Sequence, residues 1–118
     1  MANRIYLDMD GTIANLYNVN NWLEDLINSN PRPYKEAKRM VEEEVLERLV
    51  KAGYELGIVS WLAKGGNKEY NKEVRRAKRQ WLKDNYPNIQ FVEIHIVQYG
   101  KAKSKVVKEK NGILFDDE

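Results

Sequence analysis

Short apolar runs alternate with helix-patterned stretches along this chain, and that alternation limits the fold more than any other feature. The runs are Arg4-Ile5-Tyr6-Leu7, Tyr54 to Ser60, Phe91 to Val97 and Ile113-Leu114-Phe115. Their shortness and β-branched content suit buried strands. Between the first two, Val19, Trp22, Leu23, Leu26 and Ile27 have helical spacing, with Asn18 as the expected N-cap. That helix should stop at Asn28-Ser29-Asn30-Pro31. A second helix is predicted from near Pro33, with Ala37, Met40, Val41, Val45, Leu49 and Val50 on one face and Gly53 as its close. After a loop at Lys64-Gly65-Gly66-Asn67, Tyr70, Val74, Ala77 and Trp81 mark a third helix, stopped by Tyr86-Pro87. Lys103 to Lys110 predicts a short helix closed by Asn111-Gly112.

Strand–helix alternation of this kind predicts an α/β fold. The expected form is a Rossmann-like parallel sheet of about four strands with helices on both faces. A length of 118 residues fits a single domain spanning residues 1–118. Ligands of such sheets sit at the carboxyl ends of the strands. Polar residues gather at that edge: Asp8 and Asp10 after the first strand, Ser60 after the second, Asp116 and Asp117 after the fourth.

Composition removes several function classes. Hydrophobic residues at 42% and charged residues at 32% support a packed core rather than disorder. With no cysteine, disulfides and thiolate metal sites are excluded. Only three apolar residues separate Arg4 from Asp8, which does not read as a signal peptide, and no run approaches membrane-spanning length. The expectation is a cytoplasmic protein with no membrane role. A net charge of +2 is too small to argue for nucleic acid. The charge is uneven, however: Lys64 to Lys83 holds eight basic residues against Glu69 and Glu73, and Lys101 to Lys110 holds five lysines against Glu109. These runs read as solvated faces and counter-charge for an acidic pocket, with nucleic-acid contact as the rival reading.

Asp8-Met9-Asp10-Gly11-Thr12 matches D-x-D-G-T at the end of the first predicted strand. By average residue usage about one chain in a thousand of this length carries that pattern by chance. The bland reading is a pair of aspartates capping a turn. With its strand context, the motif resembles that of the haloacid dehalogenase (HAD) superfamily. The resemblance implies that Asp8 attacks phosphorus and forms an aspartyl-phosphate. It implies that Asp10 protonates the leaving oxygen, later activates water, and ligates metal through its carbonyl. Phosphate monoesters are already anionic, so a carboxylate nucleophile needs cationic help, and a hard oxygen site suits Mg²⁺. An aspartate two residues after the nucleophile is the phosphatase form of the motif, which favours turnover over a long-lived phospho-enzyme. Gly11 permits the sharp turn, and Gly11, Thr12 and Trp61 are the expected substrate contacts.

The rest of the chain continues the resemblance. Ser60 is similar to the second motif, a hydroxyl that hydrogen-bonds the transferring phosphoryl group. The third motif is a lysine near the start of the helix before the last catalytic strand. Lys103 fits it best, with Lys101 and Lys105 as competitors. Asp116-Asp117 resembles the fourth motif and would complete the metal site begun by Asp8 and Asp10; which of the pair ligates directly stays open. The family continues past this motif with a further strand and helix, whereas this sequence stops at Glu118; either the sheet is reduced to four strands or the sequence is a piece of a longer chain.

Residues 14–52 offer only a minimal helical cap, which suits a large or open-bound substrate. The run Lys103-Ser104-Lys105-Val106-Val107 and the placement of Asp116-Asp117 are similar to the 5'-nucleotidase and deoxyribonucleotidase branch. Tyr17, Trp22, Trp61 and Tyr99 are then candidates to stack a base, or else packing residues. His95 reads as a packed core histidine. The expected function is Mg²⁺-dependent hydrolysis of a phosphorylated small molecule, a nucleotide among the candidates. The rivals are a polynucleotide end phosphatase and a binding or regulatory module on the same fold.

Overall fold

The computed structural model describes residues 3–110 and 112–115. Asp116 and Asp117, both expected metal ligands, therefore lie outside the described residues, as does Asn111. Among the described residues four strands form one all-parallel sheet: β1 (Arg4–Leu7), β2 (Glu55–Trp61), β3 (Phe91–Val97) and β4 (Ile113–Phe115). Their order across the sheet is β3-β2-β1-β4. The α/β Rossmann-like core expected from the sequence is what the chain adopts.

Strand alternation sends successive side chains to opposite faces. Ile5, Leu7, Leu56 and Ile58 face a layer built from α3 (Glu43–Lys51), which contributes Leu46, and α4 (Lys68–Asn85), which contributes Trp81 and Leu82. Tyr6 and Val59 face the other way and meet Val107, just beyond α5 (Lys103–Val106). Both faces are thus covered, as a parallel sheet requires. The register between β2 and β3 shifts at Leu56/Gly57. This bulge lets Phe91 and Ile94 join the same core despite their odd spacing.

Asn67 caps α4 by accepting a 2.8 Å hydrogen bond from the Tyr70 amide. The predicted stripe of Tyr70, Val74, Ala77 and Trp81 is buried along it. The helix stops at Asn85, before Tyr86-Pro87. No helix among the described residues is long and apolar enough to cross a membrane.

Three expected helix limits are corrected. The single helix from Pro33 to Gly53 is instead two, α2 (Arg32–Glu36) and α3, with an extended break between. The break is held by tertiary partners. Lys38 O accepts from Asn15 N at 2.8 Å and Met40 N donates to Ile13 O at 2.8 Å. Trp81 Nε1 donates to Ala37 O at 2.7 Å and Tyr86 Oη donates to Val41 O at 2.6 Å. These bonds replace the helical ones, so periodicity alone could not forecast the interruption. Asn18 does not cap the first helix: it ends a 3-10 turn (Leu16–Asn18), and α1 (Trp22–Ile27) starts after Asn21, whose φ of 63° suits asparagine. Finally, α5 ends at Val106 rather than Lys110, because the Lys108 and Glu109 amides donate to Glu93 Oε1 and Tyr6 Oη, both at 2.9 Å.

Those two amides belong to a buried polar cluster. Tyr6 Oη donates to Glu93, which also receives Arg4 at 2.5 Å and His95 Nε2 at 2.8 Å. Burial by itself would raise the Glu93 carboxyl, but the hydrogen bonds from Tyr6, His95, the Lys108 amide and Arg4 outweigh it and hold the group at about 2. His95 is therefore a partly exposed partner of a carboxylate rather than a packed core residue.

Candidate active site

The loop after β1 is set by one carbonyl. The amides of Thr12, Ile13 and Ala14 all converge on Met9 O, at 3.1, 3.0 and 2.9 Å. Gly11 turns the chain with φ of 83°, a value that favours glycine. Met9 is thereby buried in the core while Asp8 and Asp10 are directed to the cleft at the carboxyl end of β1. Asp8 is only 6% exposed, and its amide bonds Phe115 O of β4 at 3.0 Å. Thr12 Oγ1 is buried with no hydrogen-bond partner among the described residues.

Strand parity explains who meets whom. Ser60, the penultimate residue of β2 rather than a residue beyond it, shares a face with Ile58 and points at α4. Trp61 shares the opposite face with Val59 and reaches α5: its Nε1 donates to Lys101 O at 2.7 Å. Lys103, the first residue of α5, is buried, with Nζ 3.4 Å from Asp8 Oδ1 and 4.7 Å from the Trp61 ring centre. Lys101 and Lys105 are exposed. Of the three competing lysines, Lys103 is the one brought to Asp8.

One buried cation beside these residues was not anticipated. Lys78 of α4 is 1% exposed and donates to Asp10 Oδ2 at 2.8 Å, Ser60 Oγ at 2.7 Å and Trp61 O at 2.8 Å. The signal was available: position 78 lies four residues after Val74 and three before Trp81, inside the apolar stripe. The basic character of the Lys64 to Lys83 run concealed it. Arg75 of the same run is also engaged internally, donating to Ile96 O at 3.2 Å.

A cleft of about 240 Å³ opens over these groups, lined by Asp8, Asp10 and Lys103 and walled by aromatic rings. Tyr17 and Trp22 meet edge to face at 5.0 Å, and Trp61 and Tyr99 lie 5.0 Å apart. Tyr34, also unanticipated, forms part of the wall; Lys78 Nζ is 5.1 Å from its ring centre. Burial foremost, and then the Asp10 charge, push the Tyr34 phenol well above the usual tyrosine range, so it stays protonated. The 3-10 turn, α1 and α2 supply the wall residues Leu16, Tyr17, Trp22, Leu26 and Tyr34, whereas α3 packs Leu46 into the sheet core. A larger groove of about 480 Å³ beside α4 is lined by Lys35, Glu73, Arg76 and Asp84 without a convergent buried group, and carries less chemistry.

Among the described residues no three carboxylate or imidazole side chains converge as a metal cluster. Asp8 and Asp10 offer a hard-oxygen donor set of the kind magnesium takes with few protein ligands and several waters. The chain matches no known family model, and no curated protein matches it significantly.

Proposed function

We propose that this chain is a Mg²⁺-dependent phosphate monoester hydrolase, with the chemistry of the HAD-like phosphatases that its motifs resemble. One observation supports the reading above the others: buried Asp8 stands at a strand's carboxyl end with the Lys103 ammonium 3.4 Å from its Oδ1. The lysine ammonium beside the carboxylate balances charge as an anionic phosphoryl group arrives. Asp8 forms a bond to phosphorus while the ester oxygen leaves. Asp10 gives that oxygen its proton and then draws one from the water that hydrolyses the aspartyl-phosphate. Ser60, whose hydroxyl the motif resemblance implies for a phosphoryl oxygen, lies fully buried behind the cleft wall on Lys78. Magnesium, held by the Asp8 carboxylate and the Asp10 carbonyl, would neutralise further charge on the phosphoryl group.

The aromatic walls support a substrate whose phosphate is attached to a flat or apolar group, nucleotides included. The polynucleotide reading draws less support, since Lys78 and Arg75 spend their charge on contacts inside the protein.

The test is hydrolysis of 4-nitrophenyl phosphate with Mg²⁺, with EDTA, and with Asp8→Asn. Turnover that disappears in both controls supports the proposal, the mutant losing roughly 10³-fold or more. A folded wild-type protein inactive on aryl and nucleoside phosphates at saturating Mg²⁺ would leave the binding-module reading in its place.

A further inference from the structure

Lys78 costs the fold something. Taking an ammonium out of water is unfavourable even when it is paired, and an apolar residue in such a place is often neutral or stabilising. Position 78 lies within the apolar stripe of α4, where leucine or methionine would extend the core. The lysine nonetheless spends all three of its N–H donors on one small group: the Asp10 carboxylate, the Ser60 hydroxyl and the Trp61 carbonyl, each within 2.8 Å. It does not line the cleft, so it touches these groups from behind.

The pattern of bonds has chemical content. Ser60 Oγ accepts from Lys78 and, like it, is fully buried behind the cleft wall, so the lysine ties a buried hydroxyl and a cleft carboxylate into one unit. Asp10 lines the cleft while its Oδ2 is held by Lys78.

We infer that Lys78 is a positioning residue that fixes Asp10 and Ser60 together in the orientation needed for proton delivery to the leaving oxygen. The inference rests on the phosphohydrolase reading above. As the Asp8–phosphorus bond forms and the ester P–O bond breaks, the proton on Asp10 moves to the departing oxygen. An alkoxide needs that proton; 4-nitrophenolate leaves without it.

The experiment compares 4-nitrophenyl, phenyl and alkyl phosphates as substrates of the wild-type protein, Lys78→Met and Asp10→Asn, with thermal unfolding measured in parallel. In Lys78→Met the alkyl ester should lose about 10²-fold in kcat, the lower range of a general acid's contribution, while 4-nitrophenyl phosphate loses under about tenfold. Adding Lys78→Met to Asp10→Asn should change leaving-group sensitivity no further, because the two act as a unit. Equal losses on all three esters, or additive effects in the double variant, overturn the inference and leave Lys78 a structural residue. Should Lys78→Met fail to fold, Lys78→Gln carries the same comparison. Failure of both to fold also assigns the lysine to stability and overturns the inference. A wild-type protein with no Asp8-dependent turnover overturns the parent reading itself, an outcome distinct from the others.

Discussion

Trp61 is the floor on which Lys103 stands: the Lys103 ammonium lies 4.7 Å from the centre of the Trp61 ring. The indole is pinned in turn by its 2.7 Å hydrogen bond to Lys101 O, two residues before the lysine it supports. Strand β2 and helix α5 therefore locate the cation beside Asp8 jointly.

Lys103→Met keeps the length of the side chain and removes its charge. On the proposed chemistry kcat falls by roughly 10²–10³-fold, the range for losing one preorganised donor to a developing anion. The variant should also melt earlier, because the buried Asp8 carboxylate loses its cation, and thermal unfolding checks this.

Replacing the floor is milder. Trp61→Leu removes the ring beneath Lys103 and should lower kcat/KM on an aryl phosphate by roughly 2- to 30-fold, the span of a cation–π contact. Trp61→Phe keeps a ring but loses the bond to Lys101 O, and should fall between wild type and Trp61→Leu. Unchanged kinetics in Trp61→Leu would mean that the lysine holds its place without the indole.

Gly57→Ala tests the packing of the sheet centre. A Cβ there would sit 2.7 Å from Tyr6 Cδ1 and 2.8 Å from Cε1. The ring is tethered through its hydroxyl, which donates to Glu93 and accepts from the Glu109 amide. Overpacking of this kind costs about 1–3 kcal/mol, to be read from the midpoint of urea unfolding.

Acid should weaken the fold through Glu93. Its folded value of about 2 lies below the ordinary 4.5, so the stability it contributes is complete above about pH 4.5 and drains away as pH falls towards 2. Urea midpoints of the wild type at pH 3 and pH 6 should differ accordingly. Glu93→Gln should be less stable at pH 6, where His95 loses its carboxylate and Arg4 keeps only Glu55, and flatter between the two pH values. A variant that keeps the wild-type pH dependence would place the acid sensitivity elsewhere.

Strands were legible because each is a short apolar run ending in polar residues, and α4 because Tyr70, Val74, Ala77 and Trp81 keep one period for the whole helix. Asp8, Asp10, Ser60 and Lys103 could be read as neighbours because parallel strands bring their carboxyl ends to one edge. The break between α2 and α3 could not. Its carbonyls are satisfied by Asn15, Trp81 and Tyr86, and no local pattern near residue 38 announces those partners. Lys78 was concealed for a different reason. A lysine among seven other basic residues looks solvated, and only its phase within the apolar stripe shows that it turns inward. Tyr34 escaped because it stands on α2, whose five residues are too few to display a face.

Asp10 takes its bearing from a helix 68 residues further along the chain. That helix is seated by the Trp81 bond to Ala37 O and by Arg75 against the outer strand. On the proposed chemistry, heat tolerance becomes a property of one docking surface. Any shift of α4 would cost the carboxylate its aim even with β1 and β2 still paired.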